Sequence, residues 1–237
     1  MACASRTAES AQRLADRIPG CTPLPASHLA RRVEIIFVTV PDDAIADVDA
    51  EVPWTDRHLA VHCSGARPAS IFAKAAQCGA SVAGFHPLQT FADPDTGLRN
   101  LPGSTVGIEA DNDAWLFLSE MADSLGMNAL RISVEDRALY HAASALVSNG
   151  TVGLMAAAAN LWEALGVPRP EAMRALLPLL EGTVRNLEAL GIPAALTGPV
   201  VRGDLGTIQR HVEALTARPG ELAIYRALSD SLIDLSL

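Results

Sequence analysis

VEIIFVTVPDDAIADVDAEV, residues 33–52, is an apolar, β-branched run that meets a proline and two aspartates and then turns helical in pattern. Residues 33–40 are apolar on both faces, as a parallel strand covered on each side must be. Residues 41–52 read as a short helix, with Asp42 or Asp43 placed to cap it. The same strand–helix unit recurs on either side. HLAVHCS (58–64) is a strand, RPASIFAKAAQCG (67–79) a helix and SVAGFH (81–86) a strand. GSTVGIEA (103–110) and NALRIS (128–133) flank the helix DNDAWLFLSEMADSLG (111–126). Alternation of this kind predicts an α/β layer with a parallel sheet and right-handed crossovers.

Beyond residue 133 the strand pattern stops. Residues 134–166 and 169–191 read as long helices, the second with Pro170 in its first turn and Gly191 at its end. DLGTIQRHVEAL and ELAIYRALSDSLIDL complete an all-helical second half. The expected organisation is an α/β domain over 1–133 and a helical domain over 134–237.

Composition narrows the function. A formal charge of −9 argues against a nucleic-acid or anionic-membrane surface. Lys74 stands alone against 17 arginines, which leaves little room for a catalytic lysine. Cys3, Cys21, Cys63 and Cys78 have no metal-ligand spacing, so no metal is expected, and with no signal peptide in view they read as reduced cytoplasmic thiols. Residues 139–162 carry no formal charge and could span a bilayer by length. His141, Ser144, Ser148, Asn149 and Thr151 within that stretch argue against membrane insertion.

An α/β domain followed by helices often binds a dinucleotide through a GxGxxG turn after its first strand. No such turn occurs here. The chain opens on MACASRTAESAQRLADRI, the pattern with which the second strand of such a domain ends, with Ser5 or Thr7 capping a helix. The sheet is therefore expected to be incomplete. In the strand order 3-2-1-4-5-6, loss of the first strand leaves unpaired inner edges on the second and fourth. Two explanations stand: a natural start upstream of Met1, which is the expectation, or a repair within the fold. Arg6, following Ser5 at a strand end, suits a 2′-phosphate and hence NADP over NAD. An exposed arginine at a helix start is the alternative.

Ligands of open α/β sheets collect at the carboxyl ends of strands. Val40-Pro41-Asp42, His62-Cys63-Ser64-Gly65 and His86-Pro87 lie there. Val40, Pro41, Asp42 and Ser64 are candidate cofactor contacts, as are Ser5, Arg6 and Thr7. His62 is a candidate substrate contact and His86 a candidate catalytic residue, because imidazole moves a proton near neutral pH. The alternative for each histidine is a neutral ring satisfied by a backbone carbonyl. On the long helix His141, Ser144, Ser148 and Asn149 follow the i, i+3, i+7, i+8 pattern. They line either a wet cleft or a buried network between helices. His141, Ser148 and Asn149 are the catalytic candidates and Ser144 a substrate contact. Gly150 and Gly153 permit close helix packing, as in a homodimer. The loop ALTGPVVRGD (195–204) offers Thr197, Arg202 and Asp204 to a substrate. Arg202 suits a carboxylate, while Asp204 also suits a helix N-cap.

Taken in order, TVPDDAI, VHCSGA, GFHPLQTF, YHAASALVSNG and LTGPVVRGD resemble the Rossmann-like oxidoreductase family whose helical half is called domain of unknown function 2520. The resemblance covers the chain from Ala4 onward. It implies an NAD(P)-binding domain, a 6-phosphogluconate-dehydrogenase-like helical C-terminal domain and a dimer. Prephenate dehydrogenases carry an HP pair like His86-Pro87. Ketopantoate reductases and β-hydroxyacid dehydrogenases use a lysine with an asparagine; this chain has Asn149 but His141 and serines where the lysine would be sought. The expected function is an NAD(P)-dependent oxidoreductase of a small carboxylate-bearing metabolite. The alternative is a non-catalytic small-molecule-binding or assembly protein lacking the phosphate loop.

Overall fold

The computed structural model describes residues 1–236 and divides into two compact units, Met1–Ala145 and Leu146–Leu237. The division falls inside a long helix, twelve residues beyond the sequence-based boundary at 133.

The first unit is α/β. Strands β1 (Ala2–Cys3) and β2 (Thr22–Pro23) pair in parallel, with α1 (Ala8–Ala15) between them and α2 (Ala26–Leu29) after β2. A second sheet has the order β3 (Ile35–Val38), β4 (Leu59–His62), β5 (Ser81–Pro87), β6 (Thr105–Glu109) and β7 (Asn128–Arg131). The expected incompleteness is thus visible among the described residues. β1 pairs only with β2 and β3 only with β4, so each keeps one open edge.

Helices α3 (Ile45–Glu51) and α4 (Ala73–Gln77) follow β3 and β4; α5 (Pro94–Asn100) and α6 (Asn112–Ser124) follow β5 and β6. One sheet face packs Ile36, Val38 and Ala60 against Ile45, Trp54 and Phe72. The other packs Val61, Ala83, Phe85, Val106 and Ile108 against Leu118 and Ala122 of α6. Both layers of a doubly covered sheet are therefore present, which is why these strands read as continuous apolar runs.

Three local expectations need correction. β6 runs antiparallel to β5, with His86 opposite Gly107 and Gly84 opposite Glu109. Apolar runs look alike in either direction, so periodicity could not reveal this. Neither Asp42 nor Asp43 caps α3: Pro41 opens a single 3₁₀ turn over Asp42–Ala44, and the Asp42 carboxylate is used elsewhere. The helix expected over 67–79 is reduced to a 3₁₀ turn (Ala69–Ile71) and α4, because Phe72 leaves helical geometry.

Helix α7 (Arg137–Ala164) leaves the first unit and enters the second, which holds α8 (Arg169–Leu190), α9 (Leu205–Ala214) and α10 (Pro219–Ser236). Pro170 lies in the first turn of α8 and Gly191 ends it at φ 67°, a conformation open to glycine.

Candidate functional site

The parity of the strands places His62, Gly84, His86, Gly107 and Glu109 on one face of the sheet, through the pairs His62↔Gly84, Gly84↔Glu109 and His86↔Gly107. The two glycines leave a hollow, and the first turn of α7 fills it. A β-carbon on Gly84 would stand 2.5 Å from Nη2 of Arg137, and one on Gly107 would stand 2.7 Å from the Tyr140 hydroxyl and 2.2 Å from Ile132. Glycine within a strand often marks such a close approach. Gly107→Ala is expected to cost about 1–3 kcal/mol, the usual range for overpacking a filled core. Urea denaturation checks this, and unchanged stability would show that Tyr140 swings away freely.

Arg137 organises the hollow. It is 2% exposed, yet its guanidinium reaches three acceptors. Nε donates to Glu109 Oε2 at 2.7 Å, and Nη1 donates to the carbonyls of Ser64 at 3.0 Å and Gly65 at 3.5 Å. The second Glu109 oxygen accepts from the backbone N–H of Ala69 at 3.0 Å. The turn after β4 is closed by Ser64, whose hydroxyl donates to Asp42 at 2.6 Å and accepts from the backbone N–H groups of Ala66 and Arg67. Asp42 and Ser64 thereby tie the ends of β3 and β4 together.

The histidines differ in kind. His58 is a structural residue: its Nδ1 accepts from the Thr55 N–H and its Nε2 meets the Ala30 carbonyl at 2.8 Å. His62 is fully buried. Its Nδ1 accepts from the Ser64 N–H at 3.2 Å, so the neutral ring carries its proton on Nε2, which has no partner. Nη2 of Arg137 also lacks one. Burial, then the neighbouring Arg137 charge, lowers the His62 pKa to about 4.

His86 is part-buried. Its Nδ1 lies 3.1 Å from the Tyr140 hydroxyl, which donates to the His86 carbonyl at 3.3 Å. Both contacts are satisfied when Nδ1–H donates to the phenol oxygen, leaving Nε2 with a free lone pair. That nitrogen faces Gly65 and His141: a β-carbon on Gly65 would lie 2.8 Å from it and 2.4 Å from the His141 ring. The two imidazoles meet edge to face at 5.8 Å. Burial, His141 and then Arg137 lower the His86 pKa to about 4, so the ring is uncharged at neutral pH. Burial raises the Tyr140 pKa, keeping its hydroxyl protonated, and pushes the Cys63 thiol up to about 11, unsuited to nucleophilic work.

Of the residues singled out from sequence, the first unit brings together Asp42, Ser64, His62, His86 and His141. Ser144 donates to the Tyr140 carbonyl one turn back in α7. Ser5, Arg6 and Thr7 follow β1, where Thr7 caps α1 by accepting from the Ser10 N–H. Val40 and Pro41 follow β3. Ser148, Asn149, Thr197, Arg202 and Asp204 belong to the second unit. There Asp204 caps α9 through the Thr207 N–H at 3.0 Å, and Thr197 and Arg202 are exposed. Sequence reasoning missed Arg137, Glu109 and Tyr140. The signal that could have found them is the pair of strand glycines, Gly84 and Gly107.

Residues 1–87 match the Rossmann-like domain family, and residues 104–232 match the domain of unknown function DUF2520. Among solved structures, a protein of Thermotoga maritima is 26% identical, with a TM-score of 0.81 over 98% of this chain and 89% of that one. A Bacteroides fragilis protein classed as an NADP oxidoreductase is also 26% identical, with a TM-score of 0.72 over 98% of this chain and 87% of that one. A reductive aminase of Aspergillus terreus, in complex with NADPH and ethyl levulinate, shares the fold at a TM-score of 0.66, with 14% identity over 98% of this chain and 85% of its own. No curated protein matches the chain. The DUF2520 match alone spans more than half of the sequence, and with the Rossmann-like match ahead of it the chain belongs to the DUF2520 family, on an NAD(P) oxidoreductase fold.

Proposed function

We propose that the protein is a cytoplasmic, NADP-dependent oxidoreductase acting on a small carboxylate-bearing metabolite. The observation that carries this reading is the Tyr140–His86–His141 cluster above the turn after β4, in a fold shared with enzymes that act with NADPH. Hydride transfer to or from a carbonyl or imine needs a proton moved in step with it. His86 can move one: it is neutral, Tyr140 fixes its orientation, and its free Nε2 is turned to His141. A pKa near 4 makes it an acceptor or relay at neutral pH, not a stored acid.

The residues present fit two ends of a dinucleotide. Arg6 is exposed after β1 and has no hydrogen bond or ion pair among the described residues, as a guanidinium for a 2′-phosphate should be. Asp42 and Ser64 rim the ends of β3 and β4, where a nicotinamide would be held. Among the described residues none forms a glycine-rich cradle for the diphosphate, and none is assigned to it. When bound, NADPH would supply the hydride. The four thiols are all free, which suits a reducing compartment.

The test pairs NADPH titration with turnover on a panel of small keto and imino acids. The expected result is NADPH binding tighter than NADH, and a His86→Asn variant that keeps NADPH affinity while losing about 10²–10⁴-fold in kcat. NADPH binding without turnover on any acid would move the protein to the non-catalytic reading. Absence of NADPH binding would overturn both the cofactor and the reaction.

A further inference from the structure

We infer that the group reduced at this site is a protonated imine, whose N–H is received by the lone pair that Tyr140 fixes on Nε2 of His86. The inference rests on the oxidoreductase reading above and narrows its substrate to one class.

Hydrogen bonds set the tautomer of His86. The Tyr140 hydroxyl has one proton, and it goes to the His86 carbonyl at 3.3 Å. Nδ1, 3.1 Å from the same phenol oxygen, is then the donor of that contact. The other nitrogen, Nε2, is an acceptor with no hydrogen-bond partner among the described residues. His141 meets the ring edge to face at 5.8 Å and leaves that lone pair free. Nor is the lone pair sealed in. The buried side-chain nitrogens without partners are His62 Nε2 and Arg137 Nη2; His86 Nε2 is not among them, so it keeps contact with solvent.

An acceptor sorts substrates by what they offer it. A protonated imine offers an N–H, and the hydrogen bond is charge-assisted. A ketone offers only lone pairs, which leaves both groups unpaired. Ketone reduction also needs a proton for the oxygen as hydride reaches the carbon. The Tyr140–His86 pair has none to give, because the phenol proton and the Nδ1 proton are both used within it.

The imine arrives with its proton already on nitrogen. Its carbon takes the hydride from NADPH, the π pair becomes a lone pair on nitrogen, and the products are a neutral amine and NADP⁺. No proton changes hands in that step, so no side chain has to titrate. That suits a ring held uncharged by burial, by His141 and then by Arg137. Oxidation of an alcohol would instead load a proton onto Nε2, a charge that burial resists. Among the charges around the ring, Arg137 is offset by Glu109 at 2.7 Å, whereas the Asp42 carboxylate favours a cation.

Nitrogen-15 NMR of the full chain tests the tautomer without cofactor or turnover. At neutral pH the wild type should show Nδ1 of His86 protonated and Nε2 bare, and Tyr140→Phe should lose that preference. A proton on Nε2 in the wild type would overturn the inference and leave the oxidoreductase reading untouched. The substrate class is tested with Δ1-piperideine-2-carboxylate and 2-oxohexanoate, an imino acid and a keto acid of equal carbon number. On the NADP⁺-loaded protein, where no reduction occurs, calorimetry should find the imino acid bound at least about tenfold tighter. With NADPH its kcat/KM should be greater by about a hundredfold or more. Tyr140→Phe should bring both ratios down toward one. Should that variant fail to fold, the wild-type spectrum and ratios still decide. NADPH binding with the keto acid preferred would place the proton donor on His141 and overturn the inference alone. Absence of NADPH binding would overturn the oxidoreductase reading, and the inference with it.

Discussion

Arg137→Met is expected to lower the stability of the α/β unit by about 3–5 kcal/mol, the range for stranding one partner of a buried ion pair. The Arg137 side chain is 2% exposed and that of Glu109 16%, so water replaces little of what is lost. The substitution removes the 2.7 Å bond to Glu109 together with the bond that holds the Ser64 carbonyl. Methionine keeps most of the side-chain volume, which separates the loss of charge from the loss of packing. The unpartnered Nη2 is a cost that the native state already carries, so the lower end of the range is favoured. Arg137→Met combined with Glu109→Met should recover most of the loss, because a buried pair replaced whole by apolar groups is often neutral. Urea denaturation of both single variants and the double variant gives the coupling. Additive losses would mean that Arg137 acts by filling space.

That residue also shows where sequence reading stopped. The strands were legible because each is covered on both faces, so Val38, Val61 and Phe85 all carry the apolar mark of burial. His62 and His86 were legible because a strand end beside a turn is where an open sheet presents its ligands. Arg137 and Glu109 were not. They are 28 residues apart, and their meeting depends on β6 running antiparallel to β5, which brings Glu109 opposite Gly84. Asp42 misled for a related reason. Its position matched a helix cap, but Ser64, distant in the chain, competed for the carboxylate and won it. The helical unit was legible as helices, but periodicity records an apolar face and not what covers it.

Acid should unfold the α/β unit in a window set by histidine and not by carboxylates. His62 and His86 have pKa values of about 4 in the folded chain, against about 6.5 for an unfolded histidine. Above pH 6.5 both rings are neutral in either state, and their contribution to stability is whole. Between pH 6.5 and 4 the unfolded chain binds two protons that the folded chain refuses. Stability then falls with pH, by as much as about 1.4 kcal/mol per pH unit for each ring. By pH 4 the loss reaches about 3 kcal/mol for each, and the two together approach the whole stability of an ordinary domain. Burial is the larger cause for both rings, so the effect survives high salt better than a surface charge effect would. Urea midpoints at pH 7.5, 5.5 and 4.5 measure the slope. His62→Asn preserves an acceptor for the Ser64 N–H and removes one titrating ring, so it should halve the slope below pH 6. Arg137→Met should also flatten it, since the guanidinium lowers both pKa values. Midpoints that stay level from pH 7.5 to 5.5 would mean that the rings take up protons without leaving the fold, and that the hollow beside Gly84 admits water.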